Sequence, residues 1–168
     1  GLQQYDKDKP AVFERPWYIV TELARNYDVV KVPLDTSVIE NDIDALLVIH
    51  PAGIKERAAY ALDQYVMRGG RMAVFLDPRS FYAMIKLKND YSFMERISST
   101  LEPLTTAWGV TFNTNLVAAD MIYAYRRVLP ERIVSNPVAM NLTGEGISRD
   151  LPLTSSLNTL ALWFAAGV

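Results

Sequence analysis

Ala45-Leu46-Leu47-Val48-Ile49-His50-Pro51-Ala52-Gly53, then Lys55 to Arg68, then Gly69-Gly70-Arg71-Met72-Ala73-Val74-Phe75-Leu76-Asp77-Pro78, is the stretch that decides the fold class. The run Ala45–Ile49 is apolar without alternation, the mark of a strand covered on both faces. His50-Pro51-Ala52-Gly53 closes it as a loop. Between Lys55 and Arg68, Ala58, Leu62 and Val66 recur four apart with Ala61 and Tyr65 beside them, which is one face of a helix. Gly69-Gly70 supplies a left-handed helix stop, and Arg71–Leu76 is a second apolar strand ended by Asp77-Pro78. Strand, loop, helix, glycine stop, strand is a βαβ unit, whose parallel crossover is right-handed in nearly all proteins. The class is therefore α/β.

Working toward the N-terminus, Trp17, Val20, Leu23, Ala24 and Tyr27 form an apolar stripe behind Pro16, predicting a helix over Pro16–Asn26. Asp28–Pro33 reads as a short strand ended by proline, and Asp35–Asp44 as a polar, turn-rich connection. Toward the C-terminus, Ser80–Asp90 reads as an excursion with a short helix. Glu95–Trp108 reads as a helical stretch in which Pro103 sits near a start or makes a break. Thr111-Phe112 and Leu116–Ala119 are strand candidates, and Met121–Val128 is an edge strand. Ile133–Leu142 is a strand interrupted by Pro137, and Asn158–Ala165 is the last one. No repeat, low-complexity tract or linker divides the chain, so residues 1–168 are expected to form a single α/β domain.

The composition agrees. Of 168 residues, 50% are apolar and 21% charged, enough apolar material for a sizeable core and too much for a disordered tail. Seventeen Lys+Arg against nineteen Asp+Glu give a formal charge of −2, unlike the basic excess of a dedicated nucleic-acid binder. There is no cysteine and one histidine, His50. Disulfide scaffolds, thiolate zinc sites, thiol nucleophiles and Ser-His-Asp triads on any other histidine are excluded. The polar Gly1–Pro10 is not a signal peptide and lacks an initiator Met, so an excised segment is expected. The closing apolar run Leu160–Val168 is too short to cross a membrane and reads better as a buried strand.

Chemistry-bearing residues are few. His50 and Asp77 both follow strands, and ligands of open α/β sheets bind beyond the carboxyl ends of strands. His50 there suits acid/base work or an anion contact, while the simpler reading of a lone histidine is a loop residue fixing the turn before Pro51. Asp77 with Asp120 suits a divalent cation, while the simpler reading is an Asp accepting backbone N–H bonds in a turn. Arg79, Phe81 and Tyr82 complete the candidate contact surface. Tyr123, Tyr125, Arg126 and Arg127 place aromatics beside cations, as base-stacking surfaces do, and a solvated edge strand explains them as well. Gly69-Gly70 and Gly144-Glu145-Gly146 lack the context and the lysine of a phosphate loop, and no Gly-x-Ser-x-Gly occurs. Asn141-Leu142-Thr143 matches a glycosylation acceptor, a pattern common by chance.

Several segments together resemble a known family. Trp17–Leu23, Tyr27-Asp28-Val29, Asp44–Pro51, Ala61–Arg71 and Val74–Pro78, then Leu104–Val110 ending Trp108-Gly109-Val110, Val117, Asp120 and Asp150–Thr154, are similar to the GldG-like auxiliary proteins of ABC-type transport systems, named after gliding motility. The resemblance implies a soluble domain outside the cytoplasm (periplasmic), anchored to the inner membrane through parts beyond this segment, beside the permease and ATPase subunits. It implies a three-layer, mostly parallel sheet flanked by helices, like class I glutamine-amidotransferase-like and flavodoxin-like domains, here without the first strand. An amidotransferase would need a nucleophilic cysteine, so a non-enzyme without cofactor or metal is expected. Its role would be protein–protein interaction or substrate handling for the transporter, with His50, Asp77, Arg79, Phe81, Tyr82 and Asp120 as contact residues. The alternative is a module binding a sugar, peptide or anion at the strand ends.

Overall fold

The structure, a computed structural model, describes residues 17–86, 97–111 and 113–165. The chain divides into two compact units, Gly1–Val74 and Phe75–Val168. In the first, helix α1 (Tyr18–Leu23) is followed by strand β1 (Ala45–Ile49), helix α2 (Glu56–Met67) and strand β2 (Arg71–Phe75). β1 and β2 are neighbours in a two-stranded parallel sheet, so the βαβ reading of residues 45–76 holds almost to the residue. The α2 face carrying Ala58, Ala59, Ala61, Leu62 and Tyr65 is buried, and its small alanines let the helix axis approach closely what it covers.

The end of α2 follows from backbone geometry. Gly69 takes φ +91, the left-handed value that only glycine adopts without strain. The Gly69 N–H donates to the Val66 carbonyl and the Gly70 N–H to the Tyr65 carbonyl, both at 2.9 Å. That pair of bonds is the Schellman closure, which satisfies carbonyls the helix leaves over. Tyr65 itself is 2% exposed. Its single hydroxyl hydrogen is shared between the Ile43 carbonyl at 3.1 Å and the Arg71 carbonyl at 3.3 Å. The Arg68 guanidinium lies 5.3 Å from the centre of the same ring and donates to the carbonyls of Ile39 and Glu40. Ile39, 1% exposed, is thereby held in the core of this unit.

Strand Asp28–Pro33 does not form. Residues 28–33 have no regular structure, and Val29 and Val30 are exposed. β-branched residues favour a strand only where a neighbour pairs with them and a core covers one face. The helix expected over Pro16–Asn26 is shorter, with turns after Leu23, and Pro16 lies outside the described residues.

The second unit contains helix α3 (Phe81–Lys86), helix α4 (Leu104–Ala107), strands β3 (Ala124–Val128) and β4 (Ile133–Thr143), a 3-10 turn at Gly144–Gly146, and strand β5 (Thr159–Trp163). The stretch read as helix over Glu95–Trp108 is thus one turn behind Pro103, its first two residues lying outside the described set. Thr111 and Leu116–Ala119 are not strands, and Phe112 lies outside the described residues. β3, β4 and β5 form an antiparallel sheet in that order. The expectation of a mostly parallel sheet is corrected here, because β3 and β4 are joined through the four residues Leu129–Arg132 alone. So short a link permits only an antiparallel return.

Pro137 shapes the sheet. Ala124 pairs with Met140 while Tyr125 pairs with Asn136, so three residues of β4 bulge between neighbouring positions of β3. Proline has no N–H for the ladder and is tolerated at such a bulge. The bulge is satisfied from outside: the Asp120 N–H donates to the Pro137 carbonyl at 3.0 Å and the Phe164 N–H to the Val138 carbonyl at 2.9 Å. β5 pairs with Ala139–Thr143, the last residue of the bulge and the part of β4 after it.

Two substitutions test the Tyr65 clamp. Tyr65→Phe removes the shared donor and is expected to cost about 1–3 kcal/mol in urea unfolding. In Gly70→Ala the new Cβ would lie 2.4 Å from Tyr65 Cε1 and 2.5 Å from the Tyr65 carbonyl oxygen. Overpacking of this kind should lower stability by about 1–3 kcal/mol, and a midpoint unchanged from the parent would disprove the clamp.

Candidate functional site

The residues singled out in the sequence fall in both units. His50 belongs to the first, at the end of β1, with φ +45. A non-glycine residue in the left-handed region is uncommon, and histidine is among those that tolerate it. The Ala52 N–H donates to the His50 carbonyl at 2.8 Å, a γ-turn centred on Pro51, whose ring fixes a φ suited to that position. The Ile54 N–H then donates to the Pro51 carbonyl at 3.3 Å, and Gly53 takes φ +73 as the third residue of that turn. His50-Pro51-Ala52-Gly53 is therefore two fused tight turns that carry the chain from β1 to the start of α2. The imidazole is half-buried.

In the second unit, Asp77 lies in a short ladder with Ser99. The Asp77 N–H donates to Ser99 Oγ and the Ser99 N–H donates to the Asp77 carbonyl, both at 2.9 Å. The Ser80 N–H donates to the Ile97 carbonyl at 2.7 Å, extending that pairing. Asp77 Oδ1 accepts the Arg79 N–H at 3.2 Å, closing an Asx turn over Pro78. Ser80 Oγ accepts the Ala83 N–H at 3.3 Å and so caps α3. Phe81 opens α3, and Tyr82 beside it is exposed, as is Arg79. Asp77, Arg79 and the start of α3 are thus brought together by one turn.

Asp120 makes a second such turn. Its Oδ1 accepts the N–H of Ile122 at 2.6 Å and of Tyr123 at 3.3 Å, setting the entry to β3. Both carboxylates considered for a cation therefore hold backbone amides. Among the described residues no group of three or more His, Asp and Glu side chains is placed to hold a metal ion. Tyr123 has a packing role. Its ring covers Gly146, where a Cβ would come within 2.7 Å of the ring, and its carbonyl accepts the Asn141 N–H at 2.8 Å.

Tyr125 differs. It stands on the open face of the antiparallel sheet, 6.1 Å from Trp163 with the rings tilted by 39°. The two are 50% and 46% exposed. Ala139, opposite Trp163 in the ladder, is buried. Arg126 and Arg127 are both exposed and, as consecutive strand residues, project to opposite faces. The residues that sequence reasoning passed over are Ser80, Ser99 and Trp163. A serine directly ahead of an apolar run is a helix-cap signature and marks Ser80. The pairing of Ser99 with Asp77, 22 residues apart, has no local signature.

If the carboxylates serve the backbone, an amide that keeps the accepting oxygen should replace them. Asp77→Asn and Asp120→Asn are expected to retain thermal stability. Asp77→Ala and Asp120→Ala, which leave amides short of an acceptor, should lower it by about 1 kcal/mol. Equal loss in the Asn and Ala forms would show that the charge matters beyond the turn.

Among the described residues no helix is long and apolar enough to cross a membrane. Neither the curated proteins nor the solved structures contain a match to the chain. A family model described as an ABC-type uncharacterized transport system does match it, over residues 2–168. With almost every residue covered, from the βαβ unit through the aromatic sheet face, the chain belongs to this family of auxiliary components of ABC-type transport systems.

Proposed function

We propose that the chain is a non-catalytic domain that acts in its transport system by protein–protein contact or by handling substrate for the permease. Within that reading it is extracytoplasmic, stands beside the permease and ATPase subunits, and is of the gliding-motility (GldG-like) kind. The β1–α2–β2 unit is then the counterpart of the parallel core of an amidotransferase-like domain. The observation that carries the reading is the employment of the strand-end polar groups. Asp77 and Asp120 hold backbone N–H groups, and the His50 loop is two fused turns, so these residues shape loops. The absence of any cysteine removes the nucleophile that an amidotransferase would use.

Co-expression of the protein with the permease and ATPase subunits of an ABC-type transport system from the same genome tests the partnership. The three are expected to elute together from detergent-solubilised membranes, and elution of the protein alone would overturn it. Catalysis is tested separately on the purified chain with amide and ester substrates. No turnover above the buffer rate is expected. Turnover abolished by His50→Ala would replace the reading with an enzymatic one.

A further inference from the structure

One face of the antiparallel sheet is open among the described residues. On β5, Thr159, Ala161 and Trp163 alternate outward and are exposed, while Leu160 and Leu162 between them are half-buried. The ladder sets Thr143, Asn141 and Ala139 of β4 opposite them, in that order. Thr143 and Asn141 are exposed as well, and Ala139 is buried. Tyr125 of β3 joins this face beside Trp163, the ring centres 6.1 Å apart and the planes tilted by 39°. The face therefore runs from an aromatic pair, over the small Ala161 and the Asn141 amide, to two threonine hydroxyls.

We propose that this face binds a neutral oligosaccharide, with Tyr125 and Trp163 as the stacking platform and Asn141, Thr143 and Thr159 as hydrogen-bonding partners. Charge, size and chemistry each select that occupant. Thr143, Asn141 and Ala139, with Thr159, Ala161 and Trp163, carry no ionisable group. Arg127, the next outward residue of β3, pairs with Val134 and so lies on the far side of Tyr125 from Asn141. A phosphate or carboxylate finds no cation along the track. At about 3.3 Å per strand residue and about 4.8 Å between strands, the track is about 13 Å long and about 10 Å wide, room for about two or three linked sugar rings. That footprint of about 130 Å² is far below the roughly 800 Å² per partner of a stable protein interface. β4 lies between two neighbours, with its backbone engaged in both ladders. An extended peptide, held by main-chain bonds at a sheet edge, therefore meets only side chains here.

A sugar is the complement of what remains. The C–H bonds of a pyranose form an apolar, weakly positive face that packs on the negative face of an aromatic ring. Its hydroxyls both donate and accept, and the Asn amide and Thr hydroxyls do the same without a charge. Two tilted rings suit two consecutive sugar units, which are themselves turned about their linkage, better than one flat base. The inference rests on this face alone and is independent of the partner contacts proposed above.

The test is isothermal titration calorimetry of the 168-residue chain with maltotriose, cellotriose and triacetylchitotriose. Saturable binding of at least one of them is expected, unchanged by added salt because no charge is involved. Trp163→Ala and Tyr125→Ala should each weaken it by about tenfold, and Trp163→Phe, which keeps a stacking ring, should recover most of the loss. Asn141→Ala should weaken it by about fivefold. Asn141 is exposed, so this variant should keep the thermal midpoint of the unsubstituted chain and reads binding even where Trp163→Ala fails to fold. No saturable binding of any of the trisaccharides overturns the proposal, as does binding that Trp163→Phe, Tyr125→Ala and Asn141→Ala leave unchanged. Binding of adenosine monophosphate that is lost in Arg127→Ser, with the trisaccharides unbound, also overturns it and assigns the aromatic pair to a nucleotide.

Discussion

A single phenol hydroxyl fixes the geometry on which the N-terminal unit rests. Tyr65 sits in the last turn of α2, and its shared hydrogen reaches Ile43, ahead of β1, and Arg71, the first residue of β2. A two-stranded sheet has little stability of its own in water, and here both strands are referred to the same helix residue. The clamp also dictates its surroundings. Gly70 can carry no side chain because the Tyr65 ring and carbonyl occupy the place of a Cβ. Arg68, lying against the ring, ties the carbonyls of Ile39 and Glu40 and so draws the polar 35–44 connection onto the helix end. Burying one tyrosine therefore orders a helix stop, a strand start and a loop together.

How much of this is legible in the sequence depends on how local the cause is. The βαβ unit was readable because a 3.6-residue apolar period, a double glycine and two unbroken apolar runs are local features that agree with one another. Asp28–Pro33 carries the same β-branched composition and forms no strand, since pairing is decided by a partner elsewhere. In the second unit the positions of β3, β4 and β5 were legible and their direction was not drawn. The short Leu129–Arg132 link held that information, because four residues cannot span a parallel crossover.

The candidate site divides along the same line. His50, Asp77 and Asp120 were found as polar residues at element ends, which is where such residues collect. Their employment was partly readable. Asp-Pro-Arg and Asp-Met-Ile both place an acceptor two residues before an amide, the spacing of an Asx turn. The Ser99 contact was not readable, for it joins positions far apart in the chain. Tyr123 and Tyr125, equivalent in composition, separate only in the sheet. One covers Gly146, and the other stands open beside Trp163.

β4 bulges at residues 137–139, where Pro137 brings no N–H to a ladder. The Asp120 and Phe164 amides donate to the Pro137 and Val138 carbonyls, so these two bulge acceptors are satisfied. Ahead of the bulge β4 has only β3 beside it, and Tyr125, Val128, Ile133 and Val134 lose the cover that a wider sheet would give them.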